Sequence, residues 1–209
     1  MENEELDCIR RDAWITGIAQ NQKDYEPNFV GYGSQHHHVI SSGLIPFINK
    51  IIKEYGVTSI NDAACGFFAN WTHELELEGV TYTGFDIVPD TVKSNKEAYP
   101  HLNFYEKDVV RNVLPPADLV IARDFFFHLT NDCILDTLAK FKASNSKYLV
   151  ATYHKEDPNY PHLLTENPDM HSQIGYVPRN LEISPFNLGE PLQVHYETAW
   201  QRYMGLWKL

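Results

Sequence analysis

Clustered basic residues, paired cysteines and long apolar runs are all missing from this chain, and each absence closes off a class of function. Only 17 Lys and Arg stand against 28 Asp and Glu, a formal net charge of −11, and no basic run interrupts it. A face that grips nucleic acid needs grouped cations to neutralise phosphates, so no nucleic-acid partner is expected. Cys8, Cys65 and Cys133 are too few and too scattered for a disulfide framework or a zinc site. No apolar stretch reaches the roughly 20 residues that span a bilayer. The opening M-E-N-E-E-L-D does not read as a secretory leader. A soluble cytoplasmic protein with no membrane partner is the expectation. Repeats and low-complexity segments are also missing.

What is there is a core-forming composition, 43% hydrophobic over 209 residues, which suits one domain. Residues 4–20 space Leu6, Ile9, Ala13, Trp14 and Ile18 along one helical face. Tyr25, Pro27, Phe29, Gly31 and Tyr32 then mark an ordered loop. Together residues 1–40 read as an amino-terminal lid, with Trp14, Tyr25, Tyr32 and Ser34 closing over a ligand or simply packing the first helix. His36, His37 and His38 are consecutive, so they cannot all face one ion, and no acids stand at ligand spacing; no metal is expected.

From residue 42 a rhythm of strands and helices sets in. Ser41-Ser42 can cap a helix through Leu44, Ile48 and Ile52 that ends near Gly56. Strands are predicted at 57–60, 80–85, 102–105, 117–122 and 147–152, and helices at 71–77, from Pro89 to about Ala98, and around Ile134 to Phe141. Alternating strands and helices predict a parallel sheet covered on both faces. The rhythm breaks over 153–191, where six prolines fall. Two short alternating runs, 193–197 and 203–209, read as an antiparallel pair at the sheet edge. The fold class expected is α/β: a Rossmann-like three-layer sandwich with a seven-stranded, mostly parallel sheet and a C-terminal antiparallel hairpin. Its parts would be a cofactor-binding core over 57–152, an acceptor-side loop region over 153–191 and a terminal hairpin over 192–209, all in one domain.

The stretch from Thr58 to Asp86 carries the functional signal. Asp62 closes one predicted strand, Asp86 closes the next, and Gly66 sits in the turn between them. A carboxylate at the carboxyl end of the second strand of such a unit can hold both hydroxyls of a ribose, and the glycine lets a nucleoside approach the backbone. Further along, Arg123 and Asp124 follow a hydrophobic strand directly, which is costly unless they face a polar cleft. His128 lies about one helical turn beyond Asp124, where it could share a face and take a proton near neutral pH; its plain alternative is packing at a helix start. Phe125, Phe126 and Phe127 include at least one core residue. Tyr153 and His154, at the end of the fifth strand, are placed to touch a second substrate, and His162, His171, Tyr176 and Arg179 would wall it in unless that loop is only structural. Asp157-Pro158-Asn159-Tyr160 reads as a turn.

The motifs I-N-D-A-A-C-G, T-G-F-D-I, E-K-D-V and D-L-V-I-A-R-D-F-F-F-H-L, in that order over 57–152, resemble the class I S-adenosylmethionine-dependent methyltransferases. More narrowly, G-Y-G-S, R-D-x-x-x-H-L and the C-terminal run ending G-L-W-K-L look like a subgroup of small bacterial and phage methyltransferases with saccharide-related associations. The resemblance implies S-adenosylmethionine as cofactor. Asp62, Ala64 and Gly66 would line its methionine side, Asp86 and Ile87 the ribose, Asp108 and the Val109 backbone the adenine edge. Arg123 would lie beside the methionine part, and Trp14 and Tyr32 would cover the cofactor. It further implies methyl transfer to a small molecule or saccharide, at oxygen, with His128, Asp124 or His154 assisting deprotonation. Tyr25, Phe127, Tyr153 and Arg179 would contact the acceptor. The family places three alternating glycines after the first acid; here Ala64 and Phe68 replace two of them. That loss keeps open a domain that binds the nucleoside without catalysis, as sensor or partner subunit. A nicotinamide-dependent oxidoreductase would keep the glycines.

Overall fold

A computed structural model describes residues 42–155, 163, 165–167 and 176–209. Among them, seven strands form one sheet in the order β3-β2-β1-β4-β5-β7-β6. The strands are β1 (Ser59–Ala63), β2 (Thr81–Asp86), β3 (Asn103–Glu106), β4 (Leu119–Ala122), β5 (Tyr148–Tyr153), β6 (Gln193–Glu197) and β7 (Arg202–Lys208). Strands β1 to β5 pair in parallel. β7 runs antiparallel to both neighbours and is inserted between β5 and β6.

Side-chain alternation along the strands builds two cores, one on each face. In β4, Leu119 and Ile121 face one way and Val120 and Ala122 the other, all four fully buried. The helices α1 (Leu44–Glu54) and α2 (Pro89–Ala98) supply Leu44, Ile48, Ile51 and Val92 to the first core. Helix α3 (Asn131–Ala143) supplies Ile134, Leu138 and Phe141 to the second. Its start is fixed by Thr130, whose Oγ1 accepts from the Cys133 N–H at 3.4 Å. Pro89 opens α2 at a position where its missing N–H leaves nothing unpaired. The three-layer arrangement expected from the sequence is therefore present.

Two expectations change in detail. The first strand begins at Ser59, not at residue 57, because the Val57 N–H still closes α1 onto Ile52 O at 2.9 Å. No helix covers 71–77; two 3-10 turns, Phe68–Asn70 and Thr72–Glu74, meet at Trp71, whose φ of −162° and ψ of −30° interrupt any longer helix. Cys65 is a buried free thiol. The lid residues Trp14, Tyr25, Tyr32 and Ser34, the histidines 36–38, His162, His171 and the 157–160 turn lie outside the described residues.

Candidate functional site

The carboxyl ends of β1 to β5 share one edge of the sheet, and the candidate residues gather along it. Leaving β1, the chain turns through Ala64 and Gly66, both in the left-handed region at φ 62° and 56°. That reversal brings the Gly66 N–H to Oδ2 of Asp86 at 2.9 Å, while Oδ1 takes the Val88 N–H at 2.9 Å. One carboxylate thus ties the turn after β1 to the tip of β2. Asn95 of α2 holds the same turn from behind, donating to Gly66 O at 2.7 Å and accepting from the Phe68 N–H at 3.0 Å. Asp62 is buried in β1 and accepts from the Tyr82 hydroxyl at 2.7 Å. Tyr82, Gly84 and Asp86 share one face of β2 by alternation, which is how Tyr82 reaches Asp62.

Burial sets the protonation of this pair. It raises Asp62 to about 7, against the Tyr82 hydrogen bond, with the Asp86 charge adding to the rise and Arg123 opposing it. Asp86 is also raised by burial, against the N–H groups of Val88, Gly66 and Ile87.

At the tip of β3, Lys107 N–H bonds Asp86 O at 2.8 Å and so ties the third strand end to the second. Asp108 accepts from the Val110 and Arg111 N–H groups at 3.0 and 3.3 Å, holding its own turn, with Arg111 Nε 3.6 Å from its other oxygen. Val109 is buried beside it, and Ile87 is half-buried beyond Asp86. Asp62, Ala64, Gly66, Asp86, Ile87, Asp108 and Val109 accordingly lie on three adjacent strand ends.

Beyond β4 the charges form a closed alternating set. Arg123 reaches Asp124 Oδ2 at 2.8 Å and Glu197 Oε1 at 3.2 Å. Arg202 reaches Asp124 Oδ1 at 2.8 Å and Glu197 Oε2 at 2.8 Å. Burial lowers the Arg202 affinity for its proton, but the two carboxylates outweigh that and hold it above its ordinary value. Asp124 adopts φ 54°, and Thr152 Oγ1 accepts its N–H at 2.9 Å. Each oxygen of this carboxylate, expected from the sequence to assist deprotonation, thus faces a guanidinium.

At the end of β5 the expected residues divide. Tyr153, expected to contact an acceptor, is fully buried in the core against Tyr203 and Trp207, with its phenol raised by burial. Arg179 is fully buried too and donates to Leu129 O at 2.7 Å, tying the loop to the start of α3. His154 is 1% exposed; its Nδ1 accepts the Arg179 N–H at 3.2 Å and its Nε2 lies 2.6 Å from Tyr176 Oη. Phe127 is buried and packs edge-on to His128, whose ring is 4.4 Å away, and against Tyr176 at 5.0 Å.

No protein-family model and no curated protein matches the sequence. Solved structures do. Magnesium protoporphyrin IX methyltransferase from Synechocystis PCC 6803, with bound SAM, superposes with a TM-score of 0.63 at 14% identity, covering 95% of this chain and 93% of that one. N-methyltransferase NodS from Bradyrhizobium japonicum WM9, in complex with S-adenosyl-L-homocysteine, does so at 0.61 and 9%, covering 94% and 98%. The PH0226 protein from Pyrococcus horikoshii OT3 gives 0.66 and 14%, covering 90% and 98%. The fold is that of class I methyltransferases.

Within this methyltransferase fold, the departures from the glycine pattern have local causes. Ala64 keeps the left-handed turn without glycine, and Phe68 is a buried wedge packed on Tyr82, Tyr99 and Phe104, directed into the core. Tyr82, Asn95, Glu197 and Arg202 were not anticipated from sequence. Tyr82 was reachable from strand alternation with Asp86. Glu197 and Arg202 carried no signal, since their partners lie on other strands.

Proposed function

We propose that the chain is an S-adenosylmethionine-dependent methyltransferase that methylates a small molecule or saccharide at oxygen. The observation that carries this is the Asp86 bridge: one buried carboxylate at the tip of β2 holds the Gly66 turn through one oxygen and the Val88 N–H through the other. A carboxylate has about four lone-pair sites, so the two oxygens keep capacity for a pair of ribose hydroxyls. Ile87 would flank the base, Asp108 and the Val109 backbone would meet its edge, and Asp62, Ala64 and Gly66 would line the methionine side. Arg123 would act from behind through Asp124. Bound there, S-adenosylmethionine would supply an electrophilic methyl group on a sulfonium.

The chain's contribution to the reaction is then alignment, holding an acceptor oxygen in line with the methyl carbon. His128, half-buried at the end of the 3-10 turn Phe126–His128, is the residue offered as proton acceptor in this reading. The engagement of both Asp124 and His154 favours a second reading, a domain that binds the nucleoside without catalysis. Calorimetry with S-adenosylhomocysteine tests the shared part. Wild type should bind and Asp86→Asn should bind at least about tenfold more weakly, a loss of about 1.4 kcal/mol or more; equal affinities would remove Asp86 from the site. Transfer of labelled methyl from S-adenosylmethionine to a panel of saccharides and small alcohols separates the two readings, since only a catalyst labels any of them.

A further inference from the structure

The phenol of Tyr176 stands at the same strand-end edge, and its surroundings fix the direction from which a ligand can meet it. His154 Nδ1 accepts the Arg179 N–H at 3.2 Å, so this nitrogen carries a lone pair and no proton. A neutral imidazole then bears its hydrogen on Nε2, and that N–H points into Tyr176 Oη at 2.6 Å. A reciprocal backbone contact, His154 N–H to Arg179 O at 2.8 Å, keeps the two residues together, and near-complete burial keeps competing water away from the ring. Val177 N–H bonds Phe127 O at 3.0 Å, and Tyr176 packs on the rings of Phe127 at 5.0 Å and His154 at 5.2 Å. The tyrosine is therefore held from three sides, yet remains 43% exposed. Near this end of β5, Asp124 is tied to Thr152 and pairs with Arg202 at 2.8 Å.

We propose that Tyr176 is the residue that receives the acceptor's hydroxyl, and that His154 is a positioning residue that sets the direction of the phenol. This rests on the methyltransferase reading above. The imidazole N–H approaches Oη from the buried side, so a ligand hydroxyl meets the phenol from the exposed side. A hydroxyl oxygen that accepts the phenol O–H keeps its own hydrogen for His128 and a second lone pair for the strand-end cleft. The exposed ring face offers an apolar platform to the C–H groups beside that hydroxyl, as a pyranoside presents them. No proton or covalent bond is exchanged with Tyr176 in this role.

Tyrosine labelled with ¹³C at Cζ and histidine labelled with ¹⁵N, in the full chain saturated with S-adenosylhomocysteine and again without it, provide the test. Titration with a set of methyl pyranosides should shift one tyrosine resonance, and that resonance should be missing in Tyr176→Phe. The ¹⁵N shifts should report His154 as the neutral Nε2–H form. For any glycoside that wild type methylates, Tyr176→Phe should lower kcat/KM at least about tenfold while S-adenosylhomocysteine affinity stays within about twofold. A Tyr176 resonance unmoved by every glycoside, or His154 found as the Nδ1–H form or as imidazolium, overturns the proposal. Lack of S-adenosylhomocysteine binding by wild type instead overturns the cofactor reading, and the glycoside titration of the free protein still decides the role of Tyr176.

Discussion

Ala64 is the residue where this chain bears a cost that its resemblance family avoids. A side chain at φ 62° brings Cβ against the following carbonyl, at about 1–2 kcal/mol, part of which glycine's greater freedom in the unfolded chain returns. Ala64→Gly should therefore raise stability by about 0.5–1 kcal/mol, read as a higher urea midpoint at unchanged slope. Asp62 makes a different prediction. Its native value near 7 stands above the ordinary 3.8, so across that window the folded protein holds a proton that the unfolded chain has released. The contribution of the protonated acid is fully present below 3.8 and is lost as pH rises through about 7. An asparagine at this position would mimic the protonated acid at every pH. Asp62→Asn should thus gain on wild type as pH rises from about 4 to about 7, with no further gain above that. Urea midpoints of both proteins over this range measure the difference, and parallel profiles would show Asp62 ionised in the fold.

Among the elements, the terminal hairpin is held to the site as much by charge as by strand pairing. Glu197 is 0% exposed and receives both Arg123 and Arg202, so Glu197→Gln turns two buried guanidiniums onto a neutral amide and leaves Asp124 to face both. Removing one partner of such a set costs about 3–5 kcal/mol, and the melting temperature should fall accordingly. An unchanged melt would mean that the four charges are hydrated in solution. The elements were legible unevenly. Helix α2 was delimited by Pro89, and β6 by its alternation, because both signals are local. Around the helix expected at 71–77, Phe68, Trp71 and Leu75 all enter one core. What local sequence could not supply is the backbone route: the side-chain carbonyl of Asn95 captures the Phe68 N–H, and the segment crosses to β2 in two tighter turns.

For the whole molecule, sheet order is what makes the last residues indispensable. β7 is paired along all of β5, from Tyr148 opposite Lys208 to Tyr153 opposite Tyr203, and among the described residues β6 joins the sheet through β7. Removal of residues 192–209 would expose the whole edge of a central, largely apolar strand and delete Glu197 and Arg202 from the charge set. Such a truncation should show no cooperative melt and should scatter light on concentration; a sharp melt would mean that β1 to β5 are self-sufficient. Among the described residues, no helix is long and apolar enough to cross a membrane, and no group of histidines, cysteines and acids could hold a metal ion.

The sequence alone determined the alternation of elements, the two-faced burial of the strands and the placing of Asp62 and Asp86 at strand ends. These follow from periodicity and turn chemistry, which act over a few residues. Only the tertiary structure decided which buried polar groups meet. Arg123 and Glu197 are 74 residues apart, and the pairing of β7 with β5 brings their elements together. The same packing set Asp124 between two guanidiniums, buried Tyr153 and Arg179, and turned His154 onto Tyr176. A buried charge or ring nitrogen takes its role from its partner, and the partner is set by which strands become neighbours.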